Sequence, residues 1–464
     1  MDVELLSRMQ FAFTAMFHYI FPPFSIGIGL LLVIFETLNY TTKLEVYEKI
    51  TKFWIKIFAA TFSVGVASGI VLEFEFGTNW STYSRFVGDV FGSPLAAEGI
   101  FAFFLESGFL AVLLFGWNKV SRGFHLFSTI MVFVGSMMSA FWIVVANSWQ
   151  QTPVAYEIVG EGVNAMAQIT SFWGMVFNPS AMIRFSHTLV GAFIQGAFLV
   201  LSVSAFFLLK KKYVEAAQRS FLIALAVATV FSLSQLALGH QHADVVAEYQ
   251  PAKLAAFEGH YETSKEAPLY IMGYTNPETQ ETFGVKIPGM LSYLIAFDTQ
   301  HEVKGLNEFP KEDWPNAAAV FQTYHLMVAL GMFFIGLTLF ASFLHFRKKL
   351  FKQKWLLKIF GFAVVLPVIA NQVGWMSAEM GRQPWTVYGL LRTSDSISKA
   401  VDATEVTISL IMFLIVYTLL FLVWIYVMNK EIKHGYGELE ESSGQYPERE
   451  KWVSQIFGLK KVNL

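Results

Sequence analysis

The stretch QFAFTAMFHYIFPPFSIGIGLLLVIFE (residues 10–36) is mostly apolar and contains a single imidazole, His18. As a helix it is long enough to cross a hydrocarbon core about 30 Å thick. Similar runs recur along the 464-residue chain, which is 55% hydrophobic and 15% charged, whereas soluble domains are about 25% charged. The composition therefore predicts an all-α polytopic membrane protein.

Nine transmembrane helices are predicted, each about 20 residues long or longer. They cover residues 10–36, 51–72, 93–116, 124–146, 182–209, 218–239, 319–345, 358–379 and 406–428. Lys and Arg concentrate in the connections after the first, third, fifth and seventh helices. The positive-inside rule then places these connections in the cytoplasm, the N-terminus outside and the C-terminus in the cytoplasm.

The connection between the sixth and seventh helices is much longer than the others and is polar. Connections beyond about 15 residues are usually functional or disordered. We therefore predict a large outer loop with a function of its own. The chain divides into helices one to six (1–239), the outer loop (240–318), helices seven to nine (319–430) and a cytoplasmic tail (431–464).

Net charge and cysteine content exclude several classes of function. The formal net charge is −2, which gives no indication of a nucleic-acid partner. The chain contains no cysteine, which excludes structural disulfides, thiolate-bound iron–sulfur clusters and covalently attached haem c. Any metal or haem would have to be held by His, Met or carboxylate side chains.

Four potential iron ligands fall in one layer near the outer ends of the predicted helices. They are His18, His187, Met327 and Glu379. Polar groups at membrane depth are costly and usually mark a pathway, a ligand or a pair. Imidazole and thioether are known haem ligands, and the shared depth predicts haem binding.

Other interpretations of these four residues remain open. Each histidine could make only a helix–helix hydrogen bond, and Met327 could be core packing. Glu379 could simply pair with Arg382, three residues later. His240 and His325 also lie at outer helix ends and could compete as ligands.

Two carboxylates stand eight residues apart in SPLAAEGIFAFFLESGFL (93–110), at Glu98 and Glu106. In an α-helix this spacing places both on roughly one side, and Ser107 lies beside the second. Such an arrangement suits stepwise proton transfer. The alternative is a pair of protonated acids hydrogen-bonded to neighbouring helices, and Ser139 and Asn147 on the fourth helix are equally explained as polar contacts between helices.

Three stretches resemble the signature sequences of subunit I of cytochrome bd-type quinol oxidases. They are RMQFAFTAMFHYIFPPFSIG (8–27), EFEFGTNWSTYSRFVGDVFGSPLAAEGIFAFFLES (73–107) and GRQPWTVYGLLRTSD (381–395). The resemblance runs from residue 1 to about residue 430 and includes nine spans and the large outer loop.

The resemblance implies three haems and a role for each candidate residue. His187 and Met327 would hold the low-spin haem b (b558). His18 and Glu379 would be axial ligands of the high-spin haem b (b595) and haem d, and which serves which stays open. Trp375 would lie near the high-spin haems and Arg382 beside a haem propionate. Residues implied in proton delivery are Glu98, Glu106, Ser107 and Asn147.

In the outer loop, Lys253 and Glu258 match the quinol-site pair of the family. Their spacing of five is poor for a helical ion pair, and without the resemblance an exposed helix with scattered charges would explain them. One departure is His325, because several members of the family carry Arg two residues before the methionine ligand. The departure concerns the propionates or the redox potential of the low-spin haem and leaves the methionine ligand in place.

The function implied is that of a terminal respiratory oxidase in the bacterial cytoplasmic membrane. It would oxidise quinol outside and reduce dioxygen to water with protons taken from the cytoplasm, so that charge is separated without a pump. The implied partners are subunit II, a small single-span subunit, quinol, dioxygen and the lipid bilayer. The alternatives are a proton-coupled transporter using Glu98 and Glu106, and a cytochrome b-type quinone module without oxygen chemistry.

Overall fold

The computed structural model describes residues 2–437. Residues 438–464, most of the predicted tail, lie outside this range. The α-helices are α1 (Val3–His18), α2 (Phe21–Thr42), α3 (Glu45–Thr78), α4 (Ser81–Phe86), α5 (Gly88–Ala97), α6 (Phe104–Phe115), α7 (Arg122–Gln151), α8 (Phe172–Val176), α9 (Ala181–Leu209), α10 (Val214–Tyr249), α11 (Pro251–Glu258), α12 (Met290–Ala296), α13 (Ala317–Phe346), α14 (Lys354–Phe362), α15 (Val365–Met380) and α16 (Ala403–His434).

Three small antiparallel hairpins and several short turns complete the described chain. The hairpins are β1 (Tyr156–Val159) with β2 (Met166–Ile169), β3 (Leu269–Asn276) with β4 (Glu281–Ile287), and β5 (Trp385–Val387) with β6 (Leu391–Arg392). A π-helical turn (Glu98–Phe103) joins α5 to α6. The 3-10 turns are Gly162–Asn164, Leu306–Glu308, Lys311–Asp313, Leu350–Lys352 and Thr393–Asp395.

Within residues 2–437, eight helical segments are long and apolar enough to cross a membrane, and one bent helix pair makes a ninth. The bent pair is α14 with α15, whose axes differ by 41°. The prediction of an all-α polytopic membrane protein is therefore confirmed. The predicted span 358–379 is broken rather than continuous, since α14 ends at Phe362 and α15 begins at Val365.

The first span is interrupted immediately after His18. α1 ends at His18, and α2 begins at Phe21 with Pro22 and Pro23 in its first turn. Proline has no backbone N–H, so the carbonyl groups four residues earlier receive no helical hydrogen bond. The break therefore follows from the sequence, and it places His18 at a helix end inside the membrane-spanning region.

Close contact between α2 and α9 forms the centre of the bundle. A Cβ atom added at Gly27 would lie 2.3 Å from the carbonyl oxygen of Ala192 and 2.7 Å from Cα of Gly196. Small residues at such crossings let helix backbones approach closely, and this close packing drives helix association in lipid. The Gly27–Gly196 contact thus fixes the distance between the helix that follows His18 and the helix that carries His187.

The outer loop has a small core of its own. Leu254 and Phe257 of α11 pack with Tyr261, Leu291 and Leu306 in one buried cluster. Lys253 and Glu258 are 1% and 2% exposed. The interpretation of this segment as an exposed helix with scattered charges is therefore wrong, because the tertiary contacts of the loop bury the helix on all sides.

Gly196→Leu should destabilise the bundle, because the new side chain has no space against α2 and overpacking costs about 1–3 kcal/mol or more. We expect a lower thermal unfolding temperature in detergent. Gly336→Leu in α13 is the matched control, since nothing lies within 4 Å of a Cβ atom there. Equal unfolding temperatures for the two variants would contradict the packing role of Gly196.

Candidate functional site

Glu379, in the last turn of α15, lies in a cluster of polar side chains. Its carboxylate is 2.7 Å from Nη2 of Arg382 and 3.8 Å from Nη2 of Arg184. Asn147 and Gln151 at the end of α7 donate to it from Nδ2 and Nε2, at 3.1 and 3.2 Å. We call these five residues the Glu379 cluster. The pairing with Arg382 that the sequence allowed is confirmed, but it is one of four contacts.

The cluster contains two guanidinium groups around one carboxylate. Arg184 is 4% exposed, and its Nη2 donates to the side-chain oxygen of Asn147. A buried charge is tolerated when it is paired and hydrogen-bonded. The second guanidinium leaves the cluster with surplus positive charge, which suits an anionic group such as a haem propionate.

Lys253 of α11 connects the outer loop to this cluster. Its Nζ donates to the side-chain oxygens of Gln151 at 2.7 Å and Gln250 at 3.1 Å. Burial lowers the pKa of Lys253 well below its ordinary value, and the neighbouring Arg184 lowers it further. Gly381 is required here, because a Cβ atom at that position would lie 2.8 Å from Cγ of Lys253.

Glu258 occupies the other end of α11 and faces α13. Its carboxyl group is hydrogen-bonded to Tyr324, and Oε2 has no partner although it is buried. Burial raises the pKa of Glu258 to about 8, and the Tyr324 hydrogen bond opposes this rise. Phe257 stacks on the Tyr324 ring with 4.5 Å between centroids. Among the described residues, Lys253 and Glu258 make no ion pair with each other, as their spacing predicted.

His187 lies on α9, one helical turn after Arg184. Gln235 of α10 donates to the backbone oxygen of His187 at 3.1 Å, which fixes this part of α9. The imidazole Nδ1 is buried without a hydrogen-bond partner, and the ring of His242 is 5.4 Å away. An orphaned imidazole nitrogen at this depth is costly, and ligation of iron would satisfy its chemistry.

Met327 lies on α13 against α15. Its Sδ atom would be 2.9 Å from a Cβ atom at Gly374, so the glycine leaves room for the thioether. α9 and α13 both pack against α10 and α15. The residues that the resemblance assigns to the low-spin haem therefore lie on two helices that share the same neighbours.

The competing histidines make other contacts. The Nδ1 and Nε2 atoms of His325 are each 2.9 Å from a backbone oxygen, of Phe321 and of Tyr270 respectively. Each ring nitrogen thus faces a backbone carbonyl oxygen, so neither is directed at another ligand in this arrangement. His240 lies 4.0 Å from Asp244, one turn further along α10.

His18 packs against small residues of α3. Its Nδ1 is 3.1 Å from the hydroxyl of Ser68, and a Cβ atom at Gly69 would lie 3.1 Å from its Cε1. The helix–helix hydrogen bond considered from the sequence is therefore present. This hydrogen bond uses one ring nitrogen and orients the ring. In metal-bound histidines the nitrogen that does not bind the metal commonly makes such a hydrogen bond.

Trp375 connects the surroundings of His18 to the Glu379 cluster. Its ring makes an edge contact with Tyr19, the residue after His18, at 5.5 Å between centroids. On the other side, the Arg184 guanidinium lies 5.7 Å from the Trp375 ring centroid. Gln372, one turn earlier on α15, donates to the backbone oxygen of Met16 at 2.7 Å. α15 thus holds Trp375 against the end of α1, and Glu379 lies one turn further along the same helix.

Glu98 and Glu106 both point at α7. Glu98 accepts a hydrogen bond from Ser139 at 2.5 Å, and Glu106 accepts one from Ser136. The prediction that both carboxyls lie on one side is confirmed, although a π-helical turn rather than a regular helix connects them. Ser107 is exposed, and its hydroxyl donates to the Phe103 backbone oxygen at 2.7 Å, so it takes no part in these contacts.

A further buried acid, Glu36, lies near the first turn of α7. Glu36 of α2 is 2.5 Å from Nδ1 of His125 and accepts a hydrogen bond from Thr129. Buried and half-buried polar residues therefore follow α7 from its first turn, through Ser136 and Ser139, to Asn147 and Gln151 in the Glu379 cluster.

Sequence reasoning missed several residues of these sites. Arg184 could have been found as a lone Arg within a predicted span, and Gln151 as the residue one turn after Asn147. Ser136 is three residues before Ser139 and shares its helix face. No sequence pattern indicated Tyr324 or Gln250, because their contacts depend on the fold of the outer loop.

Comparisons with known proteins identify the family of this chain. The family profile described as cytochrome bd terminal oxidase subunit I matches residues 6–436. Cytochrome bd ubiquinol oxidase subunit 1 of Bacillus subtilis (strain 168) is 39% identical over 446 residues, which cover 94% of each chain. Cytochrome bd-II ubiquinol oxidase subunit 1 of Escherichia coli (strain K12) is 33% identical, covering 94% of this chain and 97% of its own.

The fold is also similar to a solved structure. The bd oxidase from Geobacillus thermodenitrificans superposes with a TM-score of 0.86 at 28% identity, covering 94% of this chain and 99% of that one. These findings exclude the proton-coupled transporter and the cytochrome b-type module. The chain belongs to the cytochrome bd terminal oxidase subunit I family and is a quinol-oxidising oxidoreductase.

Proposed function

We propose that this protein is the catalytic subunit of a terminal oxidase that oxidises quinol at the outer membrane face and reduces dioxygen to water. One observation carries the proposal: Lys253 of the outer loop donates to Gln151, and Gln151 donates to Glu379. A quinol-site residue and a potential haem ligand therefore share one hydrogen-bonded network.

The residues present fit three haem groups. His187 and Met327 would hold the low-spin haem b (b558), and His18 and Glu379 the high-spin haem b (b595) and haem d. When bound, these groups supply one-electron transfer and oxygen chemistry. Arg382 would pair with a propionate through its guanidinium. Trp375 would keep the surroundings of His18 and Glu379 packed and dry.

Quinol oxidation releases protons, and Glu258 would accept them. One oxygen of its buried carboxyl has no hydrogen-bond partner, and its raised pKa makes the ionised form a stronger base. Lys253, held by Gln151 and Gln250, would position a quinol oxygen. Because the outer loop follows the outer end of α10, the protons would leave on the outer side.

The protons consumed in forming water would enter from the cytoplasm. The basic connections after the first, third, fifth and seventh spans assign that side. Polar residues of α7 would lead from that side into the membrane. They contact Glu36 near the cytoplasmic end and Glu106 and Glu98 further along the helix. Proton release outside and uptake from inside would together build a proton motive force without a pump.

The assembly would contain at least one further chain. Relatives of this protein are named subunit 1, which implies a subunit II, and a small single-span subunit would fit beside the exposed apolar helices. The lipid bilayer would be that of the bacterial cytoplasmic membrane.

His187→Ala or Met327→Ala should remove the low-spin haem signal, because each residue would supply one of the side chains that hold this haem. The measurement is a reduced-minus-oxidised absorption spectrum of the purified complex. Met332→Ala is the matched control, since this methionine of α13 is 52% exposed. An intact low-spin spectrum in both ligand variants would disprove the assignment.

Glu258→Gln should change the pH dependence of quinol oxidation. With a pKa of about 8, the carboxyl is neutral below that pH and ionises above it. We expect kcat/KM for quinol to rise as the pH approaches 8 in the native enzyme, and this rise to be absent in the variant. Haem bands and oxidation of an artificial donor should be unchanged. A pH profile identical to that of the native enzyme would exclude Glu258 as the base.

Glu106→Gln should slow steady oxygen reduction by about tenfold or more, because an acid–base group typically contributes at least that much. Ser136→Ala should slow it in the same direction, since it removes a hydrogen-bond donor to Glu106. Ser128→Ala is the control on α7, because that hydroxyl donates only to its own helix, at the Phe124 oxygen. Normal turnover of Glu106→Gln with all haem bands present would exclude the relay.

A further inference from the structure

The hairpin formed by β3 and β4 has the opposite polarity to an ordinary surface hairpin. Thr275 and Thr282 face the loop core, where Thr275 donates to the Tyr261 hydroxyl at 3.0 Å and Thr282 to the Gly259 oxygen at 2.6 Å. The apolar side chains instead face outward. Six of them are between 41% and 65% exposed: Ile271, Met272, Tyr274, Phe283, Val285 and Ile287.

Cross-strand pairing makes these side chains one continuous surface. Met272 is opposite Val285, and Tyr274 is opposite Phe283 with their rings stacked at 5.4 Å. Antiparallel sheets that face water on one side place polar residues there. An exposed apolar patch of this kind marks an interaction surface.

Two side chains of α13 fix the position of the hairpin along the axis of that helix. Nε2 of Gln322 donates to the Gly273 backbone oxygen at 2.9 Å, and Nε2 of His325 lies 2.9 Å from the Tyr270 backbone oxygen. The hairpin therefore has a defined position along a membrane-spanning helix.

The level of these contacts follows from helix geometry. α13 ends at Phe346, immediately before the basic run Arg347–Lys349 that marks the inner interface. A core about 30 Å thick takes up about 20 residues of helix, so it reaches outward to the level of Leu326. His325 and Gln322 lie in the next turn, within the interfacial layer of the bilayer.

The polarity of the hairpin varies along the membrane normal. Gln322 is one turn further out than His325, so β3 runs outward from Tyr270 to Gly273. The connecting turn, with Glu278 exposed, therefore points to water. Lys286, at the inner part of β4, places its ammonium 5.8 Å from the Tyr270 ring centroid, and long cationic side chains commonly extend to the headgroups.

We propose that the outward face of the β3–β4 hairpin lies in the outer leaflet of the bilayer, with its apolar side chains among the lipid headgroups and the first acyl carbons. The apolar face continues onto α13, where Leu326, Val328 and Met332 are exposed at membrane depth. A bilayer fits this surface better than a protein, because its polarity changes in the same direction as that of the hairpin. The inference rests on the membrane position of α13 and goes beyond the quinol chemistry.

The absence of cysteine from the chain allows a direct test in the whole complex. Met272→Cys is labelled with a small fluorophore in nanodiscs containing phosphatidylcholine with a spin label at a shallow acyl carbon. Glu278→Cys is the water-exposed control and Met332→Cys the lipid-exposed control. The unsubstituted complex measures background labelling.

We expect the lipid spin label to quench the fluorophore at residue 272 at least about twofold more than at residue 278. Iodide in the water should show the reverse order. Quenching by iodide alone at residue 272 would place the face in water, and quenching by neither would place it under a protein partner. Either result would overturn the proposal. Val285→Cys, opposite Met272, repeats the test if Met272→Cys fails to fold.

Discussion

The buried carboxylate of Glu379 is the constraint on which the surrounding structure depends. A charge removed from water costs several kcal/mol unless it is paired and its remaining lone pairs are hydrogen-bonded. Arg382 and Arg184 supply the charge, and Asn147 and Gln151 supply the further hydrogen bonds. Glu379 lies on α15, Arg382 follows that helix, and the other partners come from α7 and α9. Compensation of one charge therefore holds the ends of three helices together.

The need to satisfy buried polar groups also links the Glu379 cluster to the outer loop. Gln151 uses its amide nitrogen toward Glu379 and its amide oxygen toward Lys253. Its two ends thus join the carboxylate of Glu379 on one side and the Lys253 side-chain nitrogen on the other. Loss of the outer-loop contact would leave that oxygen without its donor, so the loop and the helix ends stabilise one another. Lys253 and Glu379, proposed above for the quinol site and for haem ligation, are thus linked through Gln151 without touching each other.

Much of the architecture could be predicted from the sequence, because a bilayer imposes simple rules. Long apolar runs had to be helices. The first was predicted as one continuous span over residues 10–36, although the missing N–H groups of Pro22 and Pro23 interrupt it after His18. The separation of Glu98 and Glu106 correctly indicated that both face one neighbour. The burial of Lys253 could not be predicted, since α11 has no apolar stripe that marks a buried face and only the folded loop covers it. Likewise, Ser107 beside Glu106 looked suited to a relay, yet its hydroxyl finds the nearer carbonyl of its own helix.

The polar groups on α7 make two different kinds of contact along one helix. At one end, Asn147 and Gln151 donate to the Glu379 carboxylate, which is paired with Arg382. In the middle, Ser136 and Ser139 each contact a carboxylate that has no cationic partner among the described residues. Hydroxyl groups can donate and accept, so they can hand on a proton, whereas a guanidinium would hold the carboxylate ionised. The difference in partners therefore suits the outer end for holding charge and the middle for moving protons.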